Sequence, residues 1–198
     1  MALINYKQKE KYNKLVKKFL NTKNVLIFAI LLLVFLMFSS AFKGILLVIL
    51  FLPLARYSVK ITAFVPHVTL EQYTSSTIFI AYIYGPIAGA LSGIVLGLYG
   101  YLSNGISKFL ALVNVVVAAL TGFMIGTFVK SGFMTTWSFS SSFILGIVIF
   151  DVIAFIVFYF VDPDKLQNLT YRSSHVFFNG LISVIFFNFF YILFNMIG

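Results

Sequence analysis

A few polar and ionisable side chains interrupt an otherwise apolar chain, and they mark where chemistry could occur. Asp151 lies within the apolar segment IVIFDVIAF, and Asn114 opens a segment of small residues, NVVVAALTGFMIG. A charge at the centre of a bilayer costs ~2.5–3.5 kcal/mol on insertion scales, so Asp151 must face a partner or a water-filled cavity. A membrane asparagine is often a contact between helices, typically worth ~0.6 kcal/mol. For both residues, a helix-packing role and a ligand-binding role remain open.

Other polar residues recur near the ends of apolar segments. His175, Asn179 and Ser183 are spaced at i, i+4 and i+8, so they share one helical face. Glu71 comes directly before a short apolar helix. Tyr159, two turns after Asp151, is the aromatic side chain that we expect at a pocket.

The sequence carries none of the common catalytic signatures. It has no Gly-Lys-Ser/Thr phosphate loop, no His-Glu-x-x-His zinc motif and no G-x-S-x-G nucleophile elbow. It also has no cysteine, which excludes disulfides and thiolate metal sites. We therefore expect no enzymatic activity, no metal and no cofactor.

The composition is typical of an integral membrane protein, with 61% hydrophobic and 10% charged residues in a chain of 198. The net charge of +9 is concentrated in the first 23 residues, which carry seven lysines against Glu10 alone. Apolar residues at helical spacing among these lysines favour a helix on an anionic membrane surface over a nucleic-acid-binding segment. We predict a basic amphipathic cytoplasmic tail at 1–23 and one transmembrane domain at 24–198, in the cell membrane.

The apolar runs predict an all-α polytopic membrane protein with about six transmembrane helices. In chain order they are Val25–Phe42, Gly44–Ala55, Ser75–Tyr84, Ile87–Leu102, Phe109–Val129, Phe139–Val161 and Ser174–Ile197. Connections are predicted at Tyr57–Tyr73, Ser103–Lys108, Lys130–Ser138 and Asp162–Ser173. Two complete spans before Tyr57 would put the lysine-rich tail outside, so we interpret Gly44–Ala55 as a half-helix or re-entrant piece.

Small residues at every fourth position predict close packing between helices. One ladder consists of Gly85, Gly89, Gly93 and Gly97, and a second consists of Ala118, Gly122 and Gly126. Lipid tails are as apolar as leucine, so membrane helices associate through close backbone contact rather than by hiding apolar surface. The Gly85-Pro86 pair predicts a tight turn between two helices.

These residues, in this order, resemble the substrate-binding (S) component of energy-coupling factor (ECF) vitamin transporters. The resemblance covers about residues 44–198 and is strongest from Glu71 to Gly126. This region has an acidic residue before a short helix, a Gly-Pro turn, the glycine-rich helix LGLYGYLSNG and a helix with a polar residue ahead of small ones. The segment FFNGLIS is similar to one that carries a ligand asparagine in thiamin-binding members, and the match falls on Asn179. Asn114 and Asp151 match pocket positions on the fourth and fifth helices of the family.

The resemblance implies an S-component-like bundle, with the N-terminal amphipathic segment as an addition. An outward-facing pocket would bind a small water-soluble vitamin or related ring compound. Its contacts would be Glu71, Asn114, Asp151, Tyr159, His175 and Asn179. Uptake would be powered by a transmembrane coupling subunit and two ATPase subunits, for which the glycine ridges would form a docking surface.

The Ala-x-x-x-Ala docking motif usual in the family's first helix is missing from both Val25–Phe42 and Gly44–Ala55. This departure leaves open whether the chain uses a shared energising module, a dedicated one or none.

The sequence also leaves a second class of protein open. A non-transporting scaffold similar to the rod-shape membrane protein MreD has comparable size and glycine-rich helices. A scaffold does not require Asn114, Asp151 and Asn179 to converge at one depth.

Overall fold

The computed structural model describes residues 40–64, 69–106, 109–161 and 164–197. The helices within these ranges, in chain order, are α1 (Ser40–Phe64), α2 (Gln72–Tyr84), α3 (Pro86–Leu102), α4 (Phe109–Lys130), α5 (Phe139–Val161), α6 (Lys165–Phe178) and α7 (Val184–Ile197). A π-helical turn at Asn179–Ser183 joins α6 to α7. The described residues contain no strand, so the predicted all-helical class is confirmed. The predicted tail at 1–23 and the first apolar run up to residue 39 lie outside the described residues.

Four stretches among the described residues are long and apolar enough to cross a membrane. They are Lys43–Thr62, Ala111–Lys130, Phe139–Phe160 and Lys165–Met196, and α3 is a shorter apolar helix. Large apolar side chains such as Ile49, Val152 and Ile185 are exposed on these stretches. Exposed apolar surface on long apolar helices is typical of a membrane-embedded protein.

The structure gives α1 as one continuous helix, so the predicted half-helix at Gly44–Ala55 is wrong. The helix continues without a break through Arg56 and Lys60 and ends at Phe64, with Pro53 in its interior. Both Arg56 and Lys60 are exposed. Their long side chains can therefore extend toward an interface, and the charges do not end the apolar helix.

Most of the predicted connection at Asp162–Ser173 is helix, so that prediction is wrong as well. The structure starts α6 at Lys165, and the Asp164 side chain caps it by accepting a hydrogen bond of 2.9 Å from the Gln167 amide. Side-chain oxygens satisfy the free amides of a first helical turn in this way. Its polar residues are compatible with a membrane helix because several of them are buried against other helices.

The packing of α3 against α4 brings backbone against backbone. A Cβ atom added to Gly89 would lie 2.6 Å from the carbonyl oxygen of Gly122, and one added to Gly93 would lie 2.8 Å from the amide nitrogen of Ala119. These pairs run in opposite directions along the two helices, so α3 and α4 are antiparallel. At Gly89 and Gly93, this approach is possible because glycine has no side chain.

The remaining ladder positions continue the same contact. Gly126 lies against the turn at Gly85 and Pro86, and Gly97 lies against Val115. The turn itself requires glycine, because Gly85 has a φ of 88° between the end of α2 and the start of α3. Ladder glycines that are occupied by an internal contact do not form an exposed docking surface, so that expectation is corrected.

Aromatic side chains fill the half of the bundle that lies toward the Gly85 turn. The fully buried Phe187 ring of α7 lies 5.3 Å from Phe79, 5.4 Å from Phe143 and 5.5 Å from Phe51, measured between ring centroids. This packing joins α1, α2, α5 and α7. Polar side chains are concentrated in the other half, where α2 begins and α3 ends.

Candidate functional site

Nine polar side chains meet inside the bundle, and we call them the polar cluster. They are Glu71, Tyr73, Tyr101, Asn114, Asp151, Tyr171, Arg172, His175 and Asn179. They come from the start of α2, the end of α3, the first turns of α4, the middle of α5, and α6 with the π turn. Asp151 lies about 15 Å along the helix axis from the end of α5, at 1.5 Å per residue. The cluster therefore extends from one end of the bundle towards its middle.

An imidazole between two carboxylates forms its centre. The Nδ1 atom of His175 is 2.6 Å from Oδ2 of Asp151, and its Nε2 atom is 3.9 Å from Oε2 of Glu71. The exposed fractions of the three residues are 0%, 3% and 2%. Buried ionisable groups in a membrane helix bundle are rare and commonly mark ligand sites or proton pathways.

The Glu71 carboxylate also accepts hydrogen bonds from three tyrosine hydroxyls. Tyr73 donates over 2.9 Å, Tyr101 over 3.2 Å and Tyr171 over 2.5 Å. Because these tyrosines belong to α2, α3 and α6, one carboxylate links three helices. Charge-assisted bonds of this kind are stronger than bonds between neutral partners.

Arg172 supplies the permanent positive charge. Its Nη2 atom donates to Oδ1 of Asn114 over 2.9 Å, and Nη1 lies 3.7 Å from Oδ1 of Asp151. The Asn114 amide in turn donates to the Tyr101 hydroxyl over 3.1 Å. Arg172 is 4% exposed, so its charge is held away from solvent by these partners.

Asn179 lies where α6 changes into the π turn. Its Nδ2 atom donates to the backbone carbonyls of Thr69 over 2.9 Å and His175 over 3.0 Å, and its Oδ1 atom accepts from Ser183 over 3.2 Å. These bonds fix the segment before α2 against the last helix. Single π turns inside α-helices occur frequently at functional sites.

Replacing Asn179 tests whether these bonds stabilise the cluster. We expect Asn179→Ala to lower the free energy of unfolding by about 1–3 kcal/mol, because the Thr69 carbonyl and the Ser183 hydroxyl lose a buried partner. The measurement is reversible unfolding of the purified protein in mixed micelles.

Asn195 is the matched control, since it is an asparagine on α7 that is exposed. Asn195→Ala is expected to change the free energy of unfolding by no more than about 0.5 kcal/mol. Equal losses in the two variants would show that the Asn179 bonds contribute nothing specific.

The structure brings together five of the six predicted substrate contacts, namely Glu71, Asn114, Asp151, His175 and Asn179. It does not bring Tyr159 to them. That side chain is 48% exposed, and its ring contacts Lys165 Nζ at 4.4 Å. Each residue of an α-helix turns the side-chain direction by about 100°. Tyr159 is eight residues after Asp151, so its side chain points roughly 80° away from that of Asp151. A residue seven positions after Asp151 differs by only about 20°. Phe158, which is 6% exposed, therefore takes that position.

Four residues of the polar cluster were not predicted from the sequence, namely Arg172 and the three tyrosines. Arg172 and Tyr171 fell in a predicted connection, although their spacing to His175 is three and four residues, typical of one helical face. Tyr101 is four residues after Gly97 and continues the spacing of the first ladder. That spacing indicates that it lies on the same helical face as the ladder glycines. Tyr73 offered no comparable signal.

Several buried atoms of the cluster have no hydrogen-bond partner among the described residues. They are Oδ1 of Asp151, Nε and Nη1 of Arg172, and Nε2 of His175. Most buried polar groups in proteins form hydrogen bonds, so buried polar atoms without a partner indicate that a water molecule or a ligand binds there. Within the described ranges, no group of three His, Cys, Asp or Glu side chains is placed to hold a metal ion. The unpartnered atoms offer donors and acceptors to an organic molecule.

Comparisons with protein-family models, with curated proteins and with solved structures give no match to this chain.

Proposed function

We propose that this chain is the substrate-capture subunit of an ECF-type transporter. It would bind a small water-soluble vitamin or a related ring compound at the polar cluster. A separate coupling subunit and two ATPase subunits would power uptake. The observation that carries the proposal is the burial of two carboxylates, a guanidinium and an imidazole at one point in an apolar bundle.

The cost of that burial supports a binding role. Each charged side chain loses its hydration when it is buried, and a buried ion pair often stabilises less than a well-packed apolar pair of the same volume. A scaffold could join its helices through glycine contacts and aromatic packing without burying charge, as the other half of the bundle does among the described residues. Retaining Glu71, Asp151 and Arg172 in the interior is explained if they serve a ligand.

The chemistry of the cluster suits a small ring compound with several hydrogen-bonding atoms. Asp151 offers a carboxylate oxygen that can accept, and His175 offers a ring nitrogen that can donate or accept. Aromatic rings of Phe150 and Phe158 lie beside these groups and supply apolar faces. Ligand sites commonly combine a few convergent polar atoms with aromatic walls.

The test is mass spectrometry of small molecules released from the purified protein. We expect a ring compound at close to one molecule per chain in the wild type. Replacing Asp151 by Asn should reduce that occupancy at least tenfold, because a carboxylate contact is lost. The exposed asparagine variant Asn195→Ala should retain the full occupancy.

The scaffold alternative predicts the opposite pattern. A wild-type protein that carries no molecule, and whose thermal midpoint does not respond to any water-soluble vitamin, would contradict the capture role. Purification from native membranes gives a second readout, since a capture subunit should recover a coupling subunit and two ATPases.

A further inference from the structure

Arg172 lies among aromatic rings as well as among polar groups. Its guanidinium carbon is 4.7 Å from the ring centroid of Phe158, 5.1 Å from that of Tyr171 and 5.7 Å from that of Phe150. A cation over aromatic faces is attracted by the negative face of each ring. Three rings with a nearby carboxylate, that of Asp151, form a cage with the chemistry of an organic-cation site.

The guanidinium uses little of its hydrogen-bonding capacity in this cage. Among the described residues, only Nη2 of its three nitrogens makes a hydrogen bond, and Nε and Nη1 make none. The Nη1 atom and Oδ1 of Asp151 are 3.7 Å apart, which is too long for a hydrogen bond although it is close enough for attraction. A buried guanidinium that uses one of its three nitrogens is held less firmly than the geometry of the group allows.

Exchange of one cation for another would preserve the charge of the cluster. The titratable and charged groups that meet there are Glu71, Asp151, Arg172 and His175, together with the hydroxyls of Tyr73, Tyr101 and Tyr171. The two carboxylates need positive charge nearby, because an uncompensated charge in an apolar interior is costly. A ligand that brings one positive charge while Arg172 moves out leaves this balance unchanged.

The Arg172 side chain can leave the cage by extending toward the exposed start of α6. It lies on α6 about 10 Å along the axis from Lys165, the first residue of the helix, at 1.5 Å per residue. Lys165, Leu166 and Gln167 at that end are all exposed. A long arginine side chain can extend toward such a polar end while its stem remains against the helix.

We infer that the cage of Phe150, Phe158 and Tyr171, with Asp151, is a binding site for a small planar organic cation, and that Arg172 occupies it as an internal substitute. The inference rests on the proposed capture function and narrows its substrate class to compounds with an amidinium, guanidinium or N-alkylated aromatic head. The ligand's head takes the position of the guanidinium, and Arg172 turns toward the exposed start of α6.

The experiment removes the internal cation and supplies a free one. Arg172→Ala leaves the cage open, and methylguanidinium at millimolar concentration is the probe. We expect methylguanidinium to raise the thermal midpoint of Arg172→Ala by at least 2–4 °C, a shift that corresponds to about 1 kcal/mol for a chain of this size. Its apparent Kd should be at least tenfold lower in Arg172→Ala than in the wild type, where the internal guanidinium competes.

Two controls separate a specific site from a general effect. Methylurea has the same shape without the charge, so it should leave the midpoint of Arg172→Ala unchanged. Arg56→Ala removes an exposed arginine of α1 and should respond to methylguanidinium no more than the wild type does. Equal responses to the two probes, or equal responses of the two arginine variants, would overturn the inference.

Poor folding of Arg172→Ala does not remove the test. In that case the folded yield becomes the measurement, and the inference expects monodisperse protein from purification with methylguanidinium and none with methylurea.

The experiments can contradict each of the two proposals without contradicting the other. A neutral or anionic compound released from the wild type would overturn the cation site and leave the capture role standing, whereas a successful rescue without any coupling partner would leave the site and overturn the transporter.

Discussion

Replacing Glu71 by Ala is expected to lower the free energy of unfolding by about 3–5 kcal/mol, the cost typical of breaking a buried charge network by removing one partner. The carboxylate is 2% exposed and accepts hydrogen bonds from Tyr73, Tyr101 and Tyr171. Its loss leaves three buried hydroxyls without their acceptor, and each unsatisfied group costs about 1–3 kcal/mol. The Tyr73 and Tyr101 hydroxyls are 3.2 Å apart and can bond to each other, so the three costs do not add fully.

The measurement is again reversible unfolding in mixed micelles, with the thermal midpoint expected to fall on the order of 10 °C. Glu71→Gln is the matched control, because the amide keeps the shape of the side chain and one acceptor oxygen. It should lose clearly less stability than Glu71→Ala. If Gln and Ala are equally destabilising, the tyrosine hydroxyls are not what Glu71 stabilises.

A double-mutant cycle then assigns the energy to one pair. Tyr171→Phe removes a hydroxyl donor that reaches Glu71 from α6. In the Glu71→Ala background, Tyr171→Phe should cost little, because the hydroxyl has already lost its acceptor. A coupling energy near zero would mean that the two residues act independently.

The elements predicted best from the sequence are those whose signal is local. Phe139–Val161 was predicted with the boundaries that the structure gives, because a continuous apolar run between polar residues determines a membrane helix by itself. The turn at Gly85 and Pro86 was similarly marked by two residues with special backbone properties. Hydrophobicity and backbone chemistry were sufficient in both cases.

The elements predicted poorly depend on distant partners. Arg172 looks like a loop residue in the sequence, and only Asn114 and Asp151, which lie on other helices, make its burial in α6 acceptable. Similarly, Gly44–Ala55 was interpreted as a half-helix because two complete spans before Tyr57 would put the lysine-rich tail outside, whereas the structure continues α1 through the exposed Arg56. A polar residue ends a membrane helix only when no partner or solvent is available to its side chain. Such partners can come from helices that are distant in the sequence, so a local pattern does not reveal them.

In the candidate site, too, the residues with a local sequence signal were predicted and those that depend on distant partners were not. Spacing alone placed His175 and Asn179 on one face, and burial of both residues agrees with that interpretation. Tyr159 was misplaced because two turns were counted as eight residues, when seven residues bring a side chain closer to its starting direction. The tyrosines around Glu71 were missed because a chain with 11 tyrosines gives no local sign of which ones share an acceptor.

The second large effect is expected at the contact between α3 and α4. Gly122→Leu should prevent folding into the native bundle, and Gly122→Ala should lower the free energy of unfolding by about 1–3 kcal/mol, the usual cost of overpacking. A Cβ atom at Gly122 would lie 2.5 Å from the carbonyl oxygen of Gly89 and 2.8 Å from Cγ2 of Thr77. The first of these neighbours is backbone, so no side-chain rotation relieves the clash and the two helices must separate.

Glycine-to-alanine substitution should change stability in opposite directions at a crowded and at an open helix position. Alanine is favoured over glycine in a helix interior by up to about 1 kcal/mol when nothing opposes it. Gly180 provides that comparison, because an added Cβ atom there meets none of the described residues within 4 Å. Gly180→Ala should therefore leave the thermal midpoint unchanged or raise it, while Gly122→Ala lowers it. Two alanine variants that shift the midpoint in the same direction would mean that the backbone contact between α3 and α4 is not what positions Tyr101 and Asn114.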